Sequence, residues 1–113
     1  MLALENRLVA GRDFNAVYKC GRFFSFENIV LKVAKNGLET TRVGFSVGLK
    51  FSPRAVERNQ VKRWLREIVK KHLGEMKKGF DVIVMPKKEA TFPVRQKLEQ
   101  NLLSAILRGN LLI

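Results

Sequence analysis

The chain has 113 residues, of which 46% are hydrophobic and 28% are charged, so the composition excludes a disordered chain and the length fits a single domain, residues 1–113. The net charge of +12 favours a polyanionic partner, either a nucleic acid or an anionic membrane surface. The single cysteine, Cys20, excludes an internal disulfide, and the single histidine, His72, has no partner for a metal site or a catalytic triad. No run of residues suits a signal peptide or a membrane span, so we expect a cytoplasmic protein.

The first half of the chain predicts one helix and two or three strands. In chain order these are a helix at Gly11–Cys20 that ends at Gly21, a β-rich stretch at Arg22–Ala34 with a strand at Ile29–Val33, a turn at Asn36-Gly37, and a strand region at Arg42–Leu49. The helix prediction rests on Phe14, Val17 and Tyr18 at helical spacing. In the last strand region the small residues Gly44, Ser46 and Gly48 share one face, which leaves room for another element or a ligand.

The second half predicts helix, strand and helix. The elements are a helix at Ala55–His72 that Pro53 permits to start, a buried central strand at Phe80–Pro86, and an amphipathic helix that ends near Gly109. For the last helix we expect Thr91 as the N-cap and Pro93 in the first turn. The order α-β-β-β-α-β-α predicts an α+β fold, in which a small central sheet carries helices mainly on one face.

The segment Ala55–His72 separates into two faces on a helical wheel. The apolar face, expected to be buried, consists of Val61, Trp64, Leu65, Ile68, Val69 and His72. The opposite face consists of Arg58, Asn59, Lys62, Arg63, Arg66 and Lys70. One side of the helix therefore belongs to the core, and the other is a row of cations about one helical turn apart.

Positive charge is concentrated around this helix. Residues 50–72 hold eight Lys or Arg and two Glu, a net charge of +6, which is half of the +12 of the whole chain. An ordinary solvated face mixes charge signs, whereas Arg58, Lys62, Arg66 and Lys70 are like charges four residues apart, and each such pair costs roughly 0.2–0.5 kcal/mol. A row that repels itself is best explained by a ligand that neutralises it, and nucleic-acid phosphates suit such a row.

The cation row favours RNA bound through its backbone and shape. A recognition helix in a DNA major groove needs base-reading side chains, whereas this face is nearly all Arg and Lys. Aromatic platforms hold single-stranded RNA, and Phe14 and Tyr18 are candidates, although the pattern fits plain core packing equally well. A DNA-binding regulator and a membrane-surface protein are the alternatives, and the second would need the apolar face of the helix for lipid.

No catalytic constellation is visible in the sequence. There is no Ser/His/Asp or Cys/His set, no paired-carboxylate motif and no phosphate loop, and Asp81 and Glu89 stand apart without partners. From its residues alone the chain is a binding module, and any enzymatic activity would come from a partner.

The stretch "LKFSPRAVERNQVKRWLRE", Leu49–Glu67, resembles the signature of a known family, the protein component of bacterial ribonuclease P. In that signature a Lys and a short loop precede Ala-x-x-Arg-Asn-x-x-Lys-Arg-x-x-Arg-Glu. The matching residues are Lys50, Ala55, Arg58, Asn59, Lys62, Arg63, Arg66 and Glu67. "NRLVAGRDFNAVYKCGRF", "RVGFSVG" and "GFDVIVMPKKEA" resemble the surrounding segments, so the resemblance covers nearly the whole chain.

The resemblance implies an α+β fold with a left-handed βαβ crossover, named after the second domain of a small-subunit ribosomal protein. It also implies the function of an accessory subunit in a ribonucleoprotein endoribonuclease. In this family a large RNA with bound Mg²⁺ is the catalyst and removes the 5′ leader of precursor tRNA. The protein would bind the ribonuclease P RNA and precursor tRNA, with no DNA, membrane or cofactor of its own, and would itself be monomeric.

Residue roles follow from the same resemblance, by position. The RNA-binding residues, which include the signature face toward the RNA and its catalytic metals, would be Lys50, Arg54, Arg58, Asn59, Lys62, Arg63, Arg66 and Lys70. The leader would lie in a cleft between the sheet and the first helix, lined by Phe14, Tyr18, Val30, Lys32 and Ser46. No residue is expected to be catalytic or to bind a metal. Some family members carry an aromatic residue where Lys32 aligns, so a phosphate contact would replace stacking there. The nearest rival is a ribosomal protein of similar build, which would bind one rRNA site without supporting cleavage.

Overall fold

Seven main elements make up the fold, which the computed structural model describes for residues 2–89 and 92–111. Their bounds are α1 (Gly11–Cys20), β1 (Arg22–Phe26), β2 (Ile29–Lys35), β3 (Arg42–Phe45), α2 (Ala55–His72), β4 (Phe80–Pro86) and α3 (Arg95–Arg108). Short 3₁₀ turns lie at Leu4–Asn6 and Leu73–Glu75. The predicted order α-β-β-β-α-β-α is confirmed, with three strands before α2.

The strands form one mixed sheet in the order β1-β2-β4-β3. β2 is antiparallel to both β1 and β4, and β3 is parallel to β4. The prediction that Phe80–Pro86 is a buried central strand is confirmed, because β4 lies between β2 and β3. β3 and β4 are joined through α2, so the βαβ unit that the resemblance implies is present, and its hand stays a prediction.

The main core lies between one face of the sheet and the helices α2 and α3. It contains Ile29, Leu31 and Val33 of β2, Val82 and Val84 of β4, Val61, Leu65, Ile68 and Val69 of α2, and Leu98, Leu102, Ala105 and Ile106 of α3. Since side chains alternate along a strand, Lys32 and Ile83 point to the opposite face, where α1 packs through Val17. The α+β class with helices mainly on one face is therefore confirmed.

Helix α2 buries the face that its periodicity predicts. Four of its side chains are at most 1% exposed, namely Val61, Leu65, Ile68 and Val69. Trp64 is half-buried and packs on Phe92, with ring centroids 5.7 Å apart. Because this apolar face is enclosed in the core, it is not available to insert into lipid, which removes the argument for a membrane-surface helix. In the described part of the chain, no helix combines the length and the apolar character that crossing a membrane needs.

The strand region expected at Arg42–Leu49 ends earlier, at Phe45. Ser46 still donates its N–H to the Val84 carbonyl of β4 at 2.9 Å. The chain then leaves the sheet and turns at Gly48, whose carbonyl accepts the N–H of Phe51 at 3.0 Å. The turn carries the chain from the edge of the sheet to α2 on the core side, so the small residue Gly48 serves the turn and not a strand face.

The expected first turn of the last helix is also corrected. Helix α3 begins at Arg95, with Val94 as an extended N-cap residue. The first helical hydrogen bond joins the Leu98 N–H to the Val94 carbonyl at 3.0 Å. Pro93 is buried and precedes the helix, and the expected N-cap, Thr91, lies outside the described residues. The predicted end at Gly109 is confirmed.

His72 joins α2 to α3. Its Nε2 lies 2.9 Å from Glu99 Oε2 and its Nδ1 lies 3.1 Å from Glu75 Oε2, and Lys71 Nζ lies 3.2 Å from the same Glu99 oxygen. The pKa of His72 is raised, mainly by the hydrogen bond to Glu99, while partial burial acts in the opposite direction. The hydrogen bonds from His72 and then from Lys71 lower the pKa of Glu99. These contacts of His72 form a clamp between α2 and α3.

We expect this clamp to make the free energy of unfolding depend on pH. A group whose pKa is raised on folding stabilises fully below its unfolded pKa, here 6.5, and loses that contribution as the pH rises through the folded value. His72→Gln should therefore cost about 0.5–1 kcal/mol near pH 6, and less toward about pH 8. Urea unfolding of both proteins over this range measures the cost. A cost that is constant or grows with pH would contradict the clamp.

Candidate nucleic-acid interface

The exposed side of α2 presents the predicted RNA-binding residues together. We define the α2 cation face as Arg58, Asn59, Lys62, Arg63, Arg66 and Lys70. Arg58 and Lys62 are half-buried and the other four are exposed, as are Lys50 and Arg54 in the segment before the helix. Neighbours four residues apart on a helix lie about 6 Å apart. Asn59, Lys62, Arg63 and Arg66, together with Glu67, line one open depression of about 440 Å³.

Most cations of this face have no acidic partner. Within residues 2–89 and 92–111, no carboxylate forms a salt bridge with Lys62, Arg63, Arg66 or Lys70. The two acids of α2 have other partners. Glu67 pairs with Arg95 of α3 at 3.2 Å, and Glu57 accepts a hydrogen bond from Ser52 Oγ at 2.6 Å and lies 3.8 Å from Arg54. The face therefore keeps its repulsion, and its donors remain available for a ligand.

Arg58 has a second task at the start of α2. Its Nη1 donates to the carbonyl of Ser52 at 2.9 Å, and Ser52 Oγ accepts the N–H of Arg54 at 3.1 Å. Ser52 thus holds the first turn in place of a side-chain cap from the N-cap residue, Arg54. A guanidinium group carries five N–H donors, so Arg58 can hold this loop and still bind a phosphate.

Helix α1 packs on the outer face of the sheet, over β2 and β4, and the residues predicted to line a leader cleft lie beside it. We define the α1–sheet cleft by Phe14, Tyr18, Val30, Lys32 and Ser46. The rings of Phe14 and Tyr18 are 6.4 Å apart between centroids and tilted by 40°. Phe14 is half-buried and packs on the small core around Val17 and Ile83, whereas Tyr18 is 39% exposed. Phe14 therefore serves core packing as well as the cleft, and Tyr18 is the more accessible ring.

The floor of the cleft comes from β2 and its neighbours. Lys32 Nζ donates to the backbone carbonyl of Tyr18 at 3.1 Å and so bridges the cleft. Val30 is buried, with 6% of its surface exposed, and pairs in register with Met85 of β4, so it lies beneath the floor and is not an accessible part of it. The Ser46 N–H donates to the Val84 carbonyl at 2.9 Å. Met85 was not identified from the sequence, although the two-residue period of the strand that contains it assigns it to this face.

The cleft and the cation face meet at the edge of the sheet beside β3. A groove of about 400 Å³ is lined by Phe14 and Gly44 on one side and by Arg66 of α2 on the other. Arg7 also lines this groove, since its segment runs parallel to β3 in a bridge with Val43. A strand of nucleic acid bound on the cation face can therefore continue into the cleft.

A charged cluster holds α1 on the sheet. Arg42 binds both carboxylate oxygens of Asp81, through Nε at 2.8 Å and Nη2 at 2.6 Å, and its Nη1 reaches Asp13 of α1 at 3.2 Å. The hydrogen bond to Asp81 is the main cause that raises the pKa of Arg42. The expectation that Asp81 stands without partners is wrong, because β3 and β4 pair in a register that sets Arg42 beside Asp81.

Comparison with known proteins gives one consistent result. The family model described as Ribonuclease P matches residues 2–109. The chain is 40% identical over 110 residues to the ribonuclease P protein component of Thermotoga maritima, covering 90% of this chain and 92% of that protein. It is 43% identical over 97 residues to that of Finegoldia magna, covering 86% and 84%. The structure of the Staphylococcus aureus RNase P protein superposes with a TM-score of 0.86 at 26% identity, covering 96% of this chain and 98% of that one.

We expect Gly44→Ala to disturb the cleft wall. A methyl group at Gly44 would collide with Phe14 Cζ and come within 3.0 Å of the Leu8 carbonyl, so the ring must move, at a cost of about 1–3 kcal/mol. Urea unfolding gives the change in free energy. Gly48→Ala is the matched control, because a methyl group there meets no atom within 4 Å, and its effect should stay within about 0.5 kcal/mol. Equal effects of the two substitutions would contradict the contact.

Proposed function

The chain belongs to the ribonuclease P protein family, and from this premise we propose that it is the protein subunit that binds ribonuclease P RNA and the 5′ leader of precursor tRNA. The observation that carries the proposal is the α2 cation face, whose exposed cations lack acidic partners among the described residues. The holoenzyme would remove the leader by endonucleolytic cleavage and leave the mature 5′ end of the tRNA. It would act in the cytoplasm, with this protein as a monomer.

The cation face suits a folded RNA backbone. Phosphates bound along α2 would release counterions and end the repulsion between Lys62, Arg66 and Lys70, so binding would relieve a cost that the free protein bears. Arg63 and Arg66 can each hold a phosphate through two parallel hydrogen bonds, whereas Lys acts as a point charge. Asn59 is the one exposed amide in this row, which leaves little capacity for reading DNA bases.

The α1–sheet cleft suits the single-stranded leader. Tyr18 offers an exposed ring beside Phe14, and base stacking on such rings tolerates any sequence. Lys32 adds a cation to the floor, where only one of its three ammonium donors is used, by the Tyr18 carbonyl. Since the cleft joins the cation face through the groove at Gly44 and Arg66, the leader and the RNA-facing helix would lie next to each other.

Mg²⁺ in this proposal belongs to the RNA. The α2 cation face offers guanidinium and ammonium groups and one amide, whereas Mg²⁺ prefers carboxylate, phosphate and water oxygens. The face therefore does not fit a protein-held metal. Its contribution to cleavage would be to bind phosphates and so lower the Mg²⁺ concentration at which the RNA folds and holds its substrate.

Reconstituted cleavage tests the proposal. The protein is mixed with a bacterial ribonuclease P RNA and labelled precursor tRNA, at Mg²⁺ too low for the RNA alone, and we expect cleavage at the mature 5′ end. Arg58→Ala combined with Arg66→Ala should lower the rate by about tenfold or more, which corresponds to loss of charged hydrogen bonds to phosphate. Lys97→Ala, which removes an exposed cation of α3, is the matched control and should retain full activity.

Two results would contradict the proposal in different ways. Tight RNA binding without stimulated cleavage would favour the rival RNA-binding protein that supports no reaction. Stimulated cleavage that the double variant leaves unchanged would remove the cation face from the RNA interface. Thermal unfolding of the double variant shows whether a loss reflects the loop contact between Arg58 and Ser52 instead, and Arg66→Ala alone avoids that contact.

A further inference from the structure

The edge strand β1 exposes an aromatic side chain that packing does not explain. Phe23 is 59% exposed, while its neighbours Phe24 and Phe26 turn inward against the main core. Strand alternation places Phe23 on the outer face of the sheet, the face that α1 and the cleft occupy. β1 is the outermost strand of the sheet, next to β2 only, so the ring stands at the open end of this face.

Phe23 continues the aromatic line of the α1–sheet cleft. It pairs in register with Lys32, and the side chains of directly opposed residues on neighbouring strands lie about 5 Å apart at Cβ. Lys32 in turn reaches the backbone carbonyl of Tyr18. The order across the sheet is therefore Phe14 at the β3 side, then Tyr18 and Lys32, then Phe23 at the β1 side.

The charge around Phe23 favours a polyanion over a second copy of the chain. Lys32 lies directly opposite Phe23 in the strand register and keeps two ammonium donors for a ligand. The guanidinium of Arg22 lies over Phe24, on the other face of the sheet. Two chains of net charge +12 repel each other when their basic edges meet. An unpaired nucleotide supplies both a base for the ring and a phosphate for the lysine.

We propose that Phe23 is a base-stacking platform that extends the α1–sheet cleft to a further nucleotide of the 5′ leader. The proposal rests on the function proposed above. Because the cation face meets the cleft at β3, a leader that enters there reaches β1 only after crossing three strand spacings, about 14 Å. Phe23 therefore contacts a nucleotide farther from the cleavage site than those at Phe14 and Tyr18, and it tolerates any base.

The test is binding of precursor tRNA by the holoenzyme with a leader lengthened one nucleotide at a time. Phe23→Ala should weaken binding of long-leader substrate by about fivefold or more, and should leave the shortest leader and mature tRNA unchanged. Phe23→Tyr should retain affinity because the ring remains, and Phe23→Leu should lose it. Leu107→Ala, which removes an exposed apolar side chain of α3, is the control and should have no effect.

A fluorescent base placed along the leader gives a second measurement. Its emission should be quenched by stacking at one upstream position in the wild-type holoenzyme, and Phe23→Ala should restore it at that position only. No loss of affinity in Phe23→Ala, or an equal loss with mature tRNA, would overturn the platform. If the wild-type protein stimulates cleavage and Tyr18→Ala weakens leader binding while Phe23→Ala does not, the platform alone fails. If the wild-type protein does not stimulate cleavage of precursor tRNA by the RNA, the proposed function is wrong, and the platform that rests on it falls with it.

Discussion

Helix α2 must fill the core on one side while it carries a row of like charges on the other, and both the fold and the interface depend on this constraint. Burial of a side chain such as Leu65 or Ile68 contributes about 1.5–3 kcal/mol, whereas each pair of like charges one turn apart costs about 0.2–0.5 kcal/mol. Packing therefore outweighs repulsion, and the helix can form before any ligand binds. Among the described residues, no carboxylate pairs with these cations, so the repulsion remains in the free protein. Phosphates of a bound ligand would relieve it, and this relief favours binding.

The position of α1 turns this single charged helix into a two-part surface. The Arg42–Asp81–Asp13 cluster and the close contact of Phe14 with Gly44 tie the start of α1 to β3 and β4. The helix itself packs over β4 and β2, which leaves the outer face of β1 open. The cleft beside α1 and the cation face on α2 lie on opposite faces of the sheet, yet they meet at the edge beside β3. The sheet thus spaces the two surfaces, and a change in the register of β3 on β4 would displace one of them from the other.

Local sequence patterns were sufficient to predict α2, the buried strand β4 and the α+β class. Helices and strands have different periods of apolar residues, and the order of the elements gives the class. They were not sufficient for contacts between residues that only the register brings together. Asp81 has no partner near it in sequence but binds Arg42, 39 residues away, and the buried hydrogen bond between Asn101 and Asn28 spans 73 residues. The predicted end of a strand was wrong where the chain leaves the sheet, since β3 ends at Phe45. The signature of α2 indicated the cation face by itself, whereas the accessibility of Phe23 became apparent only when β1 was found at the edge of the sheet.

The most direct test of the cation face is the salt dependence of binding to ribonuclease P RNA. The logarithm of the association constant should fall linearly with the logarithm of salt concentration, and the slope should shrink by about 0.7–0.9 for each phosphate that the protein no longer neutralises. Removing Lys62, Arg66 and Lys70 together by alanine substitution should therefore reduce the slope by about two to three, while Lys97→Ala leaves it unchanged. Equal slopes for the triple variant and the wild-type protein would contradict the claim that the exposed face of α2 neutralises RNA phosphates.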